Sequence, residues 1–322
     1  MDHAGKVALL TAGRDLAAST GIEIGPRDAP LVTRDMGNVR YADYADTETV
    51  RANYHEFGKD PSHVVAVDLV TGGGKLSAVI AEPVDYIVAS HVAEHVPDLL
   101  GWLEDLATCL KPGGTLGLAI PDRRFTFDRF RRESVIAEAV EAYLLRLQRP
   151  SVRQIFDSAW MSVDLPVDRA WRNDIPETAS PAHRATRLKP ALGLVRRVHE
   201  AGVYNDAHCW VFTPGSFLDL LDHAASMDLL PYALREFHPT EVHGYEFYAV
   251  LERGGEADRA ESIARARARL ADWEAERVFA AAHDTLRAEN AALRDALEGM
   301  RRSTIWRATG PVRTVVGLVR GK

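Results

Sequence analysis

The stretch from Val84 to Asp122, VDYIVASHVAEHVPDLLGWLEDLATCLKPGGTLGLAIPD, restricts the fold more than any other part of this 322-residue chain. It opens with the apolar run Val84–Ala89 and turns polar at Ser90-His91. An amphipathic helix follows, in which Trp102, Leu103, Leu106 and Leu110 share one stripe. Pro112-Gly113-Gly114 stops that helix, and the run from Thr115 to Ile120 is apolar again. Two runs without alternation, joined by a helix, predict parallel strands buried on both faces with a helical crossover.

Further Val- and Ile-rich strands are predicted at Gly21–Ile24, Val39–Ala42 and Val64–Val67, with a last one at Tyr245–Leu251. Alternation also resumes at His208-Cys209-Trp210-Val211-Phe212, ahead of a helix at Gly215–Ser226. The class is therefore α/β: a doubly wound, Rossmann-like, seven-stranded sheet whose ligands sit outside the carboxyl ends of the strands. Residues 123–206 interrupt the rhythm with a helical run, Glu133–Gln148, and a stretch rich in Pro, Arg and Trp. They read as a helical insertion after strand five, over the mouth of the site, within a domain spanning residues 1–253.

From Ala257 to Arg302 the chain has no proline and is rich in Ala, Glu, Arg and Leu, so one long helix is predicted. Phe279, His283, Leu286, Asn290, Leu293, Leu297 and Met300 fall at steps of four and three. This seam suits a homodimeric coiled coil through residues 279–300, with Asn290 setting register, or a helix packed on its own domain. The tail 301–322 mixes Arg301, Arg302, Arg307, Arg313, Arg320 and Lys322 with apolar residues and carries no acid. Such a tail suits an anionic membrane surface, a protein partner or a disordered end.

A formal charge of −7 argues against a general nucleic-acid binder. Two cysteines provide neither a disulfide framework nor a zinc pattern. The start MDHAGKVALL lacks the features of a signal peptide, and no apolar run approaches the ~20 residues of a membrane span. A cytoplasmic protein, peripheral at the inner membrane face if the tail binds there, is the expectation.

Gly25 follows the first strand, where the lack of a Cβ allows close approach of a ligand. The surrounding GIEIGPRDAP has no later glycines, which counts against a nicotinamide or flavin enzyme. With SHVAEHVPD, LKPGGTLGLAIPDRRFTFD, HCWVFTPGSF and YEFYAVLER, it resembles the class I S-adenosylmethionine-dependent methyltransferases. Among these, the resemblance is to enzymes of bacterial surface-polysaccharide biosynthesis, and the tail STIWRATGPVR resembles tails in that pathway.

The resemblance implies S-adenosylmethionine as cofactor. It implies Glu23, Ile24, Gly25 and Pro26 along the methionine moiety, Asp43 on the ribose diol, Asp68 and Leu69 on the adenine, and Ser90 and His91 by the sulfonium. It further implies O-methylation of a sugar on a glycan or glycolipid. A small-molecule methyltransferase, or a cofactor-binding coiled-coil scaffold without chemistry, are the other readings.

A hydroxyl acceptor benefits from a general base. His91 on the rim, Asp122 directly after strand five and His208 are the candidates by position. Arg123, Arg124, Arg129, Arg131 and Arg132, with Phe125 and Phe127, form a candidate platform for anionic oxygens and a sugar ring. His95 shares a helical face with His91 and neighbours Glu94, but the HExxH order is absent, and no metal site is expected. Asp122 and Asp128 alone are not a ligand set.

Overall fold

A computed structural model of the chain describes residues 1–56, 58–254 and 259–302. Its centre is one seven-stranded sheet, formed by β1 (Thr20–Ile24), β2 (Asn38–Asp43), β3 (Leu69–Val70), β4 (Val84–Ser90), β5 (Leu110–Pro121), β6 (Tyr232–His238) and β7 (Glu246–Arg253). The spatial order is β3-β2-β1-β4-β5-β7-β6. The first five strands run parallel, and β7 lies antiparallel between β5 and β6. Strand order reverses between β1 and β4, so their carboxyl ends open the crevice where such sheets take ligands.

The parallel strands are apolar throughout because helices cover both faces. Ile22, Ile87, Val88, Ala89, Leu116, Leu118 and Ile120 are all buried. Before and between these strands lie α1 (His3–Leu10), α2 (Thr47–Glu56) and α3 (Leu99–Cys109). Asp98 caps α3 by accepting from the Gly101 amide, and Leu99, Leu100, Leu103 and Leu106 are buried in the main core. Each such leucine contributes on the order of 2 kcal/mol of burial free energy. Where α3 meets β5, Lys111–Gly114 bulges outward: Val84 pairs with Leu110, and the next pair is Tyr86 with Thr115. On the opposite face α1 lies so close to β5 that a Cβ on Gly117 would stand 2.1 Å from the Leu10 carbonyl oxygen.

Two strands differ from the sequence expectation. The third is Leu69–Val70 and not Val64–Val67. Asp60 caps a 3-10 turn at Pro61–His63, and Val64 leaves that turn to pack with Val50 and Tyr54. The sixth is Tyr232–His238, where a register shift between Leu234 and Glu236 blurs the alternation. His208–Phe212 makes only one bridge, Phe212 to Asp122, although its side chains are buried as a strand's would be.

The insertion after β5 carries α4 (Ile136–Leu145), α5 (Val152–Met161), α6 (Val167–Trp171), α7 (Pro181–Thr186) and α8 (Leu188–Ala201). It builds small cores of its own, one around Phe125, Val163, Leu165, Ala170 and Ala179 and another around Ile155, Val195 and Ala207. Helix α9 (Pro214–Ser226), capped by Thr213, returns the chain to the main core through Phe217, Leu220 and Leu221.

Helix α10 (Arg259–Arg302) passes from one compact unit, ending at Leu270, into a second that begins at Ala271. In the first unit it buries Ile263 and Ala266, and Arg267 pairs with Asp219 and Asp222 of α9. In the second, Leu286, Leu293, Leu297 and Met300 are exposed, and Asn290 donates to the Leu286 carbonyl at 2.9 Å. The side chains of Phe279 and His283 and the tail 303–322 lie outside the described residues. Among the described residues no helix is long and apolar enough to cross a membrane.

Candidate active site

The crevice is framed by the ends of β1, β2, β3 and β4. Gly25 closes β1 at φ +66°, and its amide donates to Ala42 of β2. A Cβ there would lie 3.1 Å from Val92 Cγ2, so the loop after β1 rests directly against the turn after β4. Ile24 and Pro26 flank this contact, with Pro26 buried.

Asp43 ends β2 with 5% of its surface exposed. Among the described residues its carboxylate has one hydrogen-bond donor, the Tyr44 amide at 2.7 Å. Burial raises its pKa, against the lowering effects of that amide and the Arg27 charge. A nearly buried carboxylate at a strand end, with acceptor capacity to spare, fits a vicinal diol.

Glu23 has a different task. Its two oxygens accept from the Leu31 and Val32 amides at 2.8 and 2.9 Å, which ties down the loop after β1 from beneath. Burial pushes its pKa up to about 7, although both amides work the other way. Both of its carboxylate oxygens are therefore engaged by the loop.

Asp68 is similarly committed. It accepts from Arg34 Nη2 with both oxygens and from the Tyr41 amide, while Leu69 beside it is buried. Val70, and not Leu69, stands level with Asp43 and is 44% exposed. The shift of β3 thus moves the rim two residues beyond Asp68, to Val70-Thr71 and the Gly72-Gly73 turn, both of whose glycines have positive φ.

Ser90 ends β4, and His91 turns the chain at φ +54°, a conformation few non-glycine residues adopt. His91 Nε2 lies 2.8 Å from Glu246 Oε2, and Nδ1 lies 3.4 Å from Glu94 Oε1. Burial lowers the His91 pKa, but the Glu246 and Glu94 carboxylates outweigh it and hold it near 9. An imidazole already protonated at neutral pH, with Nε2 bonded to Glu246 and Nδ1 facing the Glu94 charge, is not a general base, which corrects the role expected from its position. Glu246 also receives Lys6 from α1 and the Tyr248 hydroxyl, at 2.8 Å for the latter. The sequence reading missed this acid, which had no signal beyond opening the last strand.

Asp122 is likewise no base. It is fully buried, and it accepts from the Arg124 amide and guanidinium and from the Thr240 hydroxyl at 2.7 Å. Its backbone bridges Phe212 and bonds Tyr245, so it fastens the end of β5 to both neighbouring segments. The arginine platform is also consumed internally. Arg123 donates to the Arg129 and Arg131 carbonyls, Arg129 to Asn173, Arg131 to Asp128 and Asp157, and Arg132 pairs with Glu138. Phe125 stacks on Trp171 at 4.0 Å and is buried, whereas Phe127 is 42% exposed.

His208 is the one catalytic candidate from the sequence that keeps a usable atom. Its Nδ1 lies 2.5 Å from Asp128 Oδ2, and Asp128 is held in turn by Arg131 at 2.8 Å. Burial would raise the Asp128 pKa, yet His208 and Arg131 hold it below the usual range. This pairing leaves Nε2 of His208 without the carboxylate contact. The turn Ala93–His95 lies alongside: the Cys209 and Trp210 amides both donate to the Glu94 carbonyl, and the Trp210 indole donates to Val96. As a result the His208 ring sits 4.7 Å from His95 edge to face, with Phe127 at 4.6 Å. His95 Nδ1 is 2.9 Å from Asp206 Oδ1, and Arg27 lies close enough to act on Asp43, His95 and Asp206 alike. Asp43 and the histidine cluster therefore both lie within reach of the Arg27 charge.

The chain matches the family described as a methyltransferase domain over residues 8–224. No curated protein sequence matches it. Among solved structures it is similar to an S-adenosylmethionine-dependent methyltransferase from Mesorhizobium loti, at 13% identity and TM-score 0.36, covering 78% of this chain and 96% of that one. It is also similar to magnesium protoporphyrin IX methyltransferase from Synechocystis with bound SAH, at 12% identity and TM-score 0.36, over 78% and 81% of the two chains. The assignment rests on the family match, which spans well over half of the chain. This chain belongs to the methyltransferase-domain family and is a methyl-transferring enzyme whose methyl donor is S-adenosylmethionine.

Proposed function

We propose that the enzyme O-methylates a sugar hydroxyl of a bacterial surface glycan or glycolipid. The observation that carries this reading is the placement of the insertion. Residues 123–206 bring an exposed aromatic, Phe127, beside the His95–His208 cluster, which packs on the turn that follows β4. An exposed ring beside paired imidazoles suits an acceptor with an apolar ring face and a hydroxyl to orient.

Bound S-adenosylmethionine supplies an electrophilic methyl group on a sulfonium. Around it, Asp43 accepts from the ribose hydroxyls, and Val70 with the residues after it forms the adenine slot in place of Asp68 and Leu69. Ile24, Gly25 and Pro26 let the backbone approach the methionine portion, while Glu23 holds their loop from below. Ser90 and His91 border the same portion, and His91 acts there as a fixed group. The acceptor hydroxyl is oriented at the His95–His208 cluster, where it loses its proton.

The test begins with calorimetric titration of S-adenosylmethionine and S-adenosylhomocysteine into the wild type and Asp43→Ala. Loss of two hydrogen bonds to a charged group predicts about 3 kcal/mol, roughly 100-fold weaker binding, in the variant. Equal affinity removes Asp43 from the donor site. Nucleotide sugars and lipid-linked sugars are then screened for gain of a methyl group on oxygen. Turnover confined to small metabolites replaces the glycan reading, and donor binding without any turnover supports a scaffold.

The tail 301–322 is proposed to hold the enzyme at an anionic surface or a glycan-assembly partner, and the exposed leucines after Ala271 to pair two copies.

A further inference from the structure

Glu94, His95 and His208 each offer a ligand atom, and these atoms all lie within 4.8 Å of one another. The Glu94 carboxylate is 1% exposed, and neither of its oxygens has a hydrogen-bond partner. The nearest cationic group is His91, 3.4 Å away from Oε1, too long for a good hydrogen bond. His91 offsets the charge only from this distance, so both carboxylate oxygens keep their lone pairs free to ligate.

The two imidazoles are prepared in the same sense. Asp206 stands at 2.9 Å from His95 Nδ1, and Asp128 at 2.5 Å from His208 Nδ1. A carboxylate on Nδ1 fixes the N–H there and turns Nε2 into a lone-pair donor, the outer-shell arrangement that accompanies metal-bound histidine. Cys209 lies beside the cluster, but its sulfur is directed at the His95 and Ala207 carbonyls and is not among the clustered ligand atoms.

We propose that Glu94, His95 and His208 bind one divalent first-row transition-metal ion of the zinc class, with coordination positions left open toward the crevice. Two imidazoles and one carboxylate are a poor set for magnesium or calcium, which prefer all-oxygen shells, and a good one for zinc or its neighbours.

Binding of the ion does not depend on the methyl-donor reading; its consequence for the acceptor does. An acceptor hydroxyl at an open position gives up its O–H proton to water. The new carbon–oxygen bond then forms to the sulfonium methyl, as the carbon–sulfur bond breaks and leaves its electron pair on sulfur. In this arrangement His208 serves as a ligand and Asp128 as its positioning residue.

The experiment uses the full chain without a histidine tag, stripped with EDTA and titrated with Co²⁺ and with Zn²⁺. The readouts are metal content, visible d–d absorption and melting temperature, with S-adenosylhomocysteine affinity measured on the same samples. The wild type is expected to take up one ion per chain and to melt higher with Zn²⁺. Asp206→Asn should bind ~10–100-fold more weakly, and Glu94→Gln or His95→Gln more weakly than that range.

No uptake by the wild type overturns the proposal, as does uptake by Glu94→Gln and His95→Gln equal to the wild type's, which would place the ion on other histidines. Cobalt uptake without S-adenosylhomocysteine binding leaves the metal site standing and removes only its role in methyl transfer.

Discussion

Replacing Glu246 with Gln should remove a pH-dependent part of the stability while preserving shape. The carboxylate is 6% exposed at the start of β7, where it meets Lys6 of α1, the Nε2 of His91 and the Tyr248 hydroxyl, with Tyr245 next to it. Burial alone would raise its pKa, but His91 and Lys6 lower it from the ordinary 4.5 to about 2. A depressed carboxylate contributes stability above its unfolded pKa and loses that contribution as pH falls through its folded one. The window is therefore pH 4.5 down to 2, and the shift corresponds to about 3 kcal/mol at neutral pH. The shift includes Lys6 as well as His91, so the His91 pair alone accounts for less.

Urea unfolding of metal-free wild type and Glu246→Gln at a series of pH values measures this directly. Near pH 7 the variant should be about 3 kcal/mol less stable, and the gap should close to roughly half by pH 3. On the alkaline side the gap should shrink again as pH rises through 9, where His91 gives up its proton. Stability curves that run parallel from pH 7 to pH 3 would refute the charge pairing and leave Glu246 as a packing residue.

Gly117→Ala drives a Cβ to within 2.1 Å of the Leu10 carbonyl, so α1 must lift from β5. A loss of about 3 kcal/mol in chemical unfolding is expected, and a smaller loss than ~1 kcal/mol would mean that α1 adjusts freely. Cys109 and Cys209 are buried, with thiols pushed up to about 11 and 12, so at pH 8 an aromatic disulfide reagent should label both only as fast as the protein opens. Rapid labelling of either under native conditions contradicts this burial. If Leu293 and Leu297 pair two copies, the double change Leu293→Glu, Leu297→Glu should halve the mass in sedimentation equilibrium; an unchanged mass rejects that dimer. Deleting residues 303–322 should leave S-adenosylhomocysteine binding intact and reduce co-sedimentation with anionic vesicles, and equal sedimentation rejects the membrane role.

The fold was legible wherever one physical cause acts alone. Val84–Ala89 and Thr115–Ile120 are apolar because both faces of β4 and β5 are buried, and the leucine stripe of α3 follows from one covered face. Legibility failed where two causes compete. Val64–Val67 has strand composition, but its valines serve a capped turn and the core beneath α2. His208–Phe212 alternates and is buried because it packs under the insertion and against the Ala93–His95 turn, without pairing into the sheet. Tyr232–His238 does pair, but its bulge between Leu234 and Glu236 hides the period of two.

The site was legible to the level of strand ends and no further. Position at the end of a strand picked Asp43, Asp68, Asp122 and His91 equally, since sequence carries no information on which carboxylates are already satisfied. In three dimensions they separate. Asp68 carries Arg34 and the Tyr41 amide, Asp122 carries Arg124 and Thr240, and His91 is held by two acids. Asp43 accepts from a single amide, and Glu94 from none. A buried polar group with its partners in place explains itself by the fold, because leaving it unpaired would cost more than the bond contributes. Glu94, His95 and His208 form the opposite case: a buried carboxylate with no hydrogen-bond donor and only the distant charge of His91, next to two imidazoles whose Nδ1 atoms are held by acids. Asp206 and Asp128 are the residues that turn those rings into donors, and both lie far along the chain from the Ser90–His95 motif that a sequence reading notices first.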